Sequence, residues 1–241
     1  MGGQTGIGID QLFFPSVPEI HRITGCPESE DQGTSLCPTT GGIPLTIYGE
    51  YFSGGMQVTV NREACELLTW ADDYLTCELP AGTGLSVAVI VEVIISAEEV
   101  RSSIEYFLVG YAPPSLATIV HNNCTSNDPA VLQNCPREGG QRLTITGVNL
   151  GNSDAFVLVG SRQCTDVIHV SASTEVTCVL PSGTLINAPV IFIQDGGSLA
   201  PVGNMSVGYT QCPEGTFQDG TAIDCNAPSK TSALLTLYAH S

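Results

Sequence analysis

Apolar residues in this chain recur at every second position or in short unbroken runs, and nowhere hold the 3.6-residue period of an amphipathic helix. The pattern predicts strands. LTIYG (45–49) and LTITG (143–147) are rich in β-branched residues and are each stopped by glycine. QVTV (57–60) and AFVLV (155–159) are read as the strand that follows each. Residues 73–79 end at Pro80, whose missing N–H halts a ladder. Residues 85–95 and 189–194 read as the buried central strand of each half, and residues 104–111 and 205–209 close the series. About seven short strands in roughly 100 residues are what a two-sheet sandwich requires.

The chain repeats itself. Cys26 and Cys37 recur as Cys124 and Cys135, and GGIPLTIYG (41–49) recurs as GGQRLTITG (139–147) at the same displacement of 98 positions. Cys65 then matches Cys164, CELPAGTG from Cys77 matches CVLPSGTL from Cys178, and VGY at 109–111 matches VGY at 207–209. The displacement grows to 101 and returns to 98, which places small insertions in surface loops between fixed strands. Two homologous modules are expected, 18–112 and 113–211. Residues 1–17 are read as the end of a preceding module or a docking strand, and 212–241 as a partial Cys-rich module and tail.

Composition supports an all-β chain with frequent reversals: 26 glycines and 15 prolines, with aromatics only 6% of residues. Ten cysteines without C-x-x-C spacing point to an oxidising compartment. Within a module four cysteines permit three connectivities. Local pairing is favoured because each repeat must be self-contained, so Cys26–Cys37 and Cys124–Cys135 would staple the loop entering the Gly-Gly turn. Cys65–Cys77 and Cys164–Cys178 would each close a hairpin. The net charge of −17 and a single lysine, Lys230, argue against nucleic acid, because phosphate binding needs clustered Lys and Arg. The longest apolar stretch, 85–95, is interrupted by Glu92 and is far shorter than the ~20 residues of a spanning helix. Charged residues are only 13%, so glycans, Ser and Thr, or neighbouring subunits are expected to cover much of the surface. The start, MGGQTG, lacks a charged segment followed by an apolar one, and the chain is read as an excerpt or mature product of a longer precursor.

The order of motifs carries a family resemblance. Pro18, Ile20, Ile23, Gly25 and Cys26, then GG-x-x-LTI-x-G, a cysteine, and C-x-LP-x-G resemble the IPT/TIG domain, the immunoglobulin-like module of plexins, scatter-factor receptors and many cell-surface proteins. The second module departs at its start, where residues 119–124 (IVHNNC) replace the tight I-x-G-C. The resemblance implies two tandem Ig-like, E-set-type sandwiches at the cell surface or outside the cell. Residues 212–225, CPEGTFQDGTAIDC, resemble the opening of an ephrin-receptor-type Cys-rich repeat, with Cys212–Cys225 as its natural pair.

No catalytic set emerges. His21, His121, His169 and His240 lie far apart and beside no nucleophile motif. Cysteine spacing does not suit zinc, and Glu28, Glu30 and Asp31, or Asp72 and Asp73, lack the D-x-D-x-D-G series of a calcium loop. No cofactor or metal is implied. The first module carries 14 acidic and 3 basic residues and the second 6 and 3, an imbalance that suggests unequal contacts. Asn123-Cys124-Thr125 and Asn204-Met205-Ser206 are glycan acceptor sequons. GIGIDQLFF (6–14) and SALLTLYA (232–239) are segments that would pair as strands, either with flanking parts of a longer protein or by donation to a neighbouring subunit. The chain is therefore expected to be a non-enzymatic extracellular spacer and interaction module. Its partners would be proteins, copies of itself or neighbouring modules, and glycans. The alternatives are a plexin-like receptor ectodomain and an accessory domain of a secreted enzyme.

Overall fold

The structure is a computed structural model that describes residues 16–203, 205–219 and 223–226. The segments 6–14 and 232–239, His240, Lys230 and Asn204 lie outside the described residues. The first module runs through β1 (Glu19–Thr24), β2 (Glu28–Ser29), β3 (Thr34–Cys37), β4 (Pro44–Glu50), β5 (Gly55–Val60) and β6 (Glu63–Ala64). It continues with β7 (Glu66–Trp70), β8 (Tyr74–Glu78), β9 (Val87–Ile94), β10 (Val100–Ser102) and β11 (Tyr106–Tyr111). One sheet has the order β1-β4-β8-β7; the other is β2-β3-β11-β9-β5-β6, with β10 also on β9.

The second module repeats this plan. Its strands are β12 (Ser115–Val120), β13 (Thr125–Asp128), β14 (Val131–Cys135), β15 (Arg142–Val148), β16 (Phe156–Val159) and β17 (Arg162–Gln163). Then come β18 (Thr165–Ser171), β19 (Glu175–Val179), β20 (Ala188–Ile193) and β21 (Ser206–Tyr209). The sheets are β12-β15-β19-β18 and β13-β14-β21-β20-β16-β17. In both modules the last strand pairs in parallel with the strand that leads into the Gly-Gly turn, β3 with β11 and β14 with β21. A small hairpin of β22 (Phe217–Gln218) and β23 (Cys225–Asn226) follows.

Alternation explains the layers. In β4 the residues Leu45, Ile47 and Gly49 turn inward, and in β9 Val87, Val89, Val91 and Val93 do the same. Their faces meet across the sandwich with Leu75 and Cys77 of β8 and Val58 and Val60 of β5. The second core is separate and built from equivalent positions, among them Leu143, Ile145, Val157, Val176, Cys178 and Val207.

The all-β, immunoglobulin-like architecture is as the sequence pattern indicates, with two differences. The ladder is divided into more pieces than about seven per module, because short two-residue pairings such as β2, β6 and β17 extend sheet edges. The strands β7 and β18 escape the alternation rule. Each is an edge strand with one neighbour, interrupted by register shifts, and most of its side chains face solvent.

Five disulfides join Cys26 to Cys37, Cys65 to Cys77, Cys124 to Cys135, Cys164 to Cys178 and Cys212 to Cys225. No cysteine is left free. The pairs Cys65–Cys77 and Cys164–Cys178 tie the start of the edge strand to the central β8 or β19, inside the core. In the second module the turn that replaces I-x-G-C is held by His121, whose Nδ1 accepts from the Asn123 N–H at 3.2 Å.

Candidate functional site

The most elaborately built feature of each module is its C-terminal end. There the Gly-Gly turn, the P-x-G-T loop and the terminal tyrosine converge. Gly41 and Gly139 have φ near +65°, a conformation that suits glycine, and the next amide donates to the carbonyl of Leu79 or Leu180 at 2.9 Å. The Tyr111 hydroxyl donates to the Pro80 carbonyl at 2.8 Å, and Tyr209 does the same to Pro181 at 2.7 Å. Each ring lies against a glycine, Gly82 or Gly183, where a β-carbon would collide with it. Burial raises both phenols above their ordinary value, Tyr209 to about 12. Gly82 and Gly183 in turn donate to the carbonyls of Thr39 and Arg137 at 3.0 and 2.8 Å.

This framework presents two side chains outward, and both meet the unit that follows. In the first module Thr39 is fully buried: its hydroxyl donates to Ser173 Oγ at 2.8 Å, and its amide and hydroxyl approach Asn149 Oδ1 at 3.4 Å. Thr83 Oγ1 accepts from the Gly196 N–H at 3.0 Å. The buried Gln194 amide donates to the carbonyls of Ala112 and Asn149, so it spans the linker as well as the interface.

In the second module the equivalent positions are Arg137 and Thr184. Arg137 donates to the carbonyls of Ile223 and Thr210 at 2.6 and 3.1 Å and to Gln218 Oε1 at 3.0 Å. Gln218 Nε2 donates to Thr184 Oγ1 at 3.2 Å. One socket is thus built twice, filled once by a sandwich and once by the disulfide-closed hairpin.

Other surfaces are simpler. A groove of about 560 Å³ beside β3 and β11 is lined by Glu30, Asp31, Leu85 and Phe107, and a groove of about 510 Å³ recurs at the matching place on β14 and β21. Glu28, Glu30, Asp31, Asp72 and Asp73 are all exposed. Among the described residues no group of three or more His, Cys, Asp or Glu side chains is placed to hold a metal ion.

Three of the histidines, His21, His121 and His169, fall among the described residues. His21 lies on the surface with its Nε2 3.8 Å from Glu19. His121 and His169 are held below the usual imidazole value by burial; for His169 the Gly151 carbonyl, which its Nδ1 contacts at 2.9 Å, and Asp154 oppose that shift. Asn123 is exposed in the turn before β13. The junction residues Thr39, Asn149, Ser173 and Gln194 were not apparent from sequence. The signal for one of them lay in the repeat itself, where Thr39 is matched by Arg137 within otherwise similar turns.

The model of the IPT/TIG domain matches residues 34–102 and 124–205, one stretch in each module. Plexin-2 of Caenorhabditis elegans is 27% identical over 157 residues, which is 62% of this chain and 8% of that protein. Fibrocystin-L of Mus musculus is 31% identical over 144 residues, 59% of this chain and 3% of that protein. The chain therefore spans less than a tenth of either relative. Among solved structures, the surface glycan-binding protein PbSGBP-B from Prevotella bryantii aligns with a TM-score of 0.48 at 17% identity, over 78% of this chain and 42% of that one. Five disulfides with no free thiol belong to an oxidising compartment, and the chain is extracellular or cell-surface. With two matched stretches that together cover more than half of its residues, the chain belongs to the IPT/TIG domain family.

Proposed function

We propose that the chain is a non-enzymatic structural and interaction unit of an extracellular or cell-surface assembly, acting as a spacer that sets the direction between its neighbours. The observation that carries this reading is the repeated socket. Thr39 and Arg137 are each buried by polar contacts to whatever follows, so the ends of the modules are made for a fixed partner rather than for a mobile tether. Hydrogen bonds that are directional and buried hold an angle in a way that a flat apolar contact does not. The disulfides keep each sandwich stiff, and the hairpin is read as the opening of a Cys-rich module. The exposed Asn123 sequon would carry a glycan that helps to cover a surface poor in charge.

A receptor ectodomain of plexin type is the second reading, favoured by the match to a plexin over 62% of the chain. Small-angle scattering of the full chain tests the spacer. One fixed angle between the modules is expected, with Asn149→Asp or Thr39→Asp broadening the distribution. A wild-type chain that samples many angles, indistinguishable from these variants, contradicts the proposal.

A further inference from the structure

The second module sits in its socket through the end opposite its own. That seating end is formed by the residue after β15, Asn149, and by the β18–β19 turn, Ser173. The same end exists in the first module, and backbone hydrogen bonds establish the correspondence. Gly49 and Phe52 donate to the carbonyls of Asp73 and Asp72, as Gly147 and Leu150 donate to those of Thr174 and Ser173. Tyr51 takes the place of Asn149, and both have positive φ, 64° and 56°. Asp72 takes the place of Ser173.

Ser173 is 1% exposed and accepts from Thr39 of the first module. Tyr51 is 47% exposed, and Asp72 and Asp73 are exposed beside it, as is Glu50, which pairs in register with Glu19. Trp70, the only tryptophan of the chain, stands at the root of the same turn and is 57% exposed. Ser173 is buried and Asn149 half-buried in the second module, whereas their counterparts Asp72 and Tyr51 in the first are exposed.

From this we infer that the open end of the first module, Tyr51 with Asp72 and Asp73, is the seat for the socket end of another Ig-like module that carries a basic side chain at the position of Thr39. The inference rests on the spacer reading and names its partner. Two features of the surface select that occupant. The surface is the equivalent of an interface already formed within this chain. Its charge has also changed: a neutral Asn and Ser that accept from a threonine hydroxyl have become a phenol and carboxylates. Covering Asp72 with a neutral threonine would leave a desolvated anion without a counter-charge. A guanidinium meets both groups, binding the carboxylate and lying on the aromatic face. The same socket position in this chain already holds an arginine, Arg137, which here grips the hairpin.

A second copy of the chain serves as the probe once its socket is emptied. A chain ending at Gln211 loses the hairpin but no residue of the second core, whose last member is Tyr209. Tethered neighbours experience concentrations in the millimolar range, so sedimentation velocity is run up to about 1 mM. The shortened chain is expected to associate head to tail, Arg137 of one copy on Asp72 of the next, with a change in Trp70 emission. At the same concentration the full chain associates far less, because its socket is filled.

Asp72→Arg should weaken the association at least about tenfold, and combining it with Arg137→Asp should restore it. A folded shortened chain that stays monomeric at the top concentration overturns the inference. So does association indifferent to Asp72→Arg, which would mean that strand edges or another patch drive it, and so does equal association of the full chain. The fixed angle between the two modules is unaffected by any of these outcomes, so the inference can fail while the spacer reading stands.

Discussion

Thr39 and Arg137 stand at the same place in the two modules, 98 positions apart, and each is buried by the unit that follows it in the chain. A small hydroxyl suits a sandwich whose own polar side chains come to meet it. A guanidinium, with its five donors, suits a short hairpin that offers the Ile223 carbonyl and the Gln218 amide oxygen. The fold of the module is conserved between the two while the residue at its tip is matched to the neighbour.

Removing that grip should free the hairpin. Arg137→Ala is expected to expose residues 212–226 to limited proteolysis while the sandwiches remain resistant, since the donors that hold Ile223 and Gln218 are gone. Unchanged protection of this segment would show that the arginine is incidental to its docking.

The tyrosine–glycine contact at the base of the socket should be intolerant of a single methyl. Gly183→Ala drives a β-carbon into the Tyr209 ring and is expected to cost about 1–3 kcal/mol in urea unfolding. Tyr209→Phe loses only the hydrogen bond to Pro181, about 1 kcal/mol. A smaller loss for the alanine variant than for the phenylalanine variant would contradict this packing.

Stability should fall on both sides of neutrality. His121 and His169 titrate below the usual ~6.5 when folded. Their contribution is therefore complete above that value and is lost as the pH drops through the folded values, because the unfolded chain takes up protons first. Tyr209 acts in the opposite sense: raised to about 12, it favours the folded state up to pH 10 and loses that effect as the pH rises between the two values. Urea midpoints measured across this range should decline at each end, and His121→Gln should flatten the acid limb.

Material secreted from eukaryotic cells should carry a glycan on Asn123, seen as a mass shift that Asn123→Gln abolishes. Its side chain is exposed in a turn, while the Thr125 hydroxyl of the sequon donates to the Gln133 carbonyl at 3.2 Å. An unmodified Asn123 peptide from such material would remove the glycan from the account.

Much of the sandwich was legible because its signals are local. LTIYG and LTITG announce β4 and β15 by alternation and a terminal glycine, and the residues that build the socket frame, Gly-Gly, Leu-Pro and Val-Gly-Tyr, are the very motifs that repeat. Edge strands β7 and β18 were not legible, because side chains that face water need no period. The parallel strands β3 and β14 are short and partly polar, and their pairing depends on a partner more than 70 residues away. The junction was hidden for a similar reason. Asn149 and Gln194 are ordinary polar residues until the fold brings them to Thr39 and Ala112, 110 and 82 positions distant.

Peptide mapping of the native, unreduced protein by mass spectrometry tests the account most directly. It should recover five short-range crosslinks, Cys26–Cys37, Cys65–Cys77, Cys124–Cys135, Cys164–Cys178 and Cys212–Cys225, with no sulfhydryl available to an alkylating reagent. Free thiols throughout, or bridges that run from one module to the other, would contradict a pair of independently stapled extracellular sandwiches.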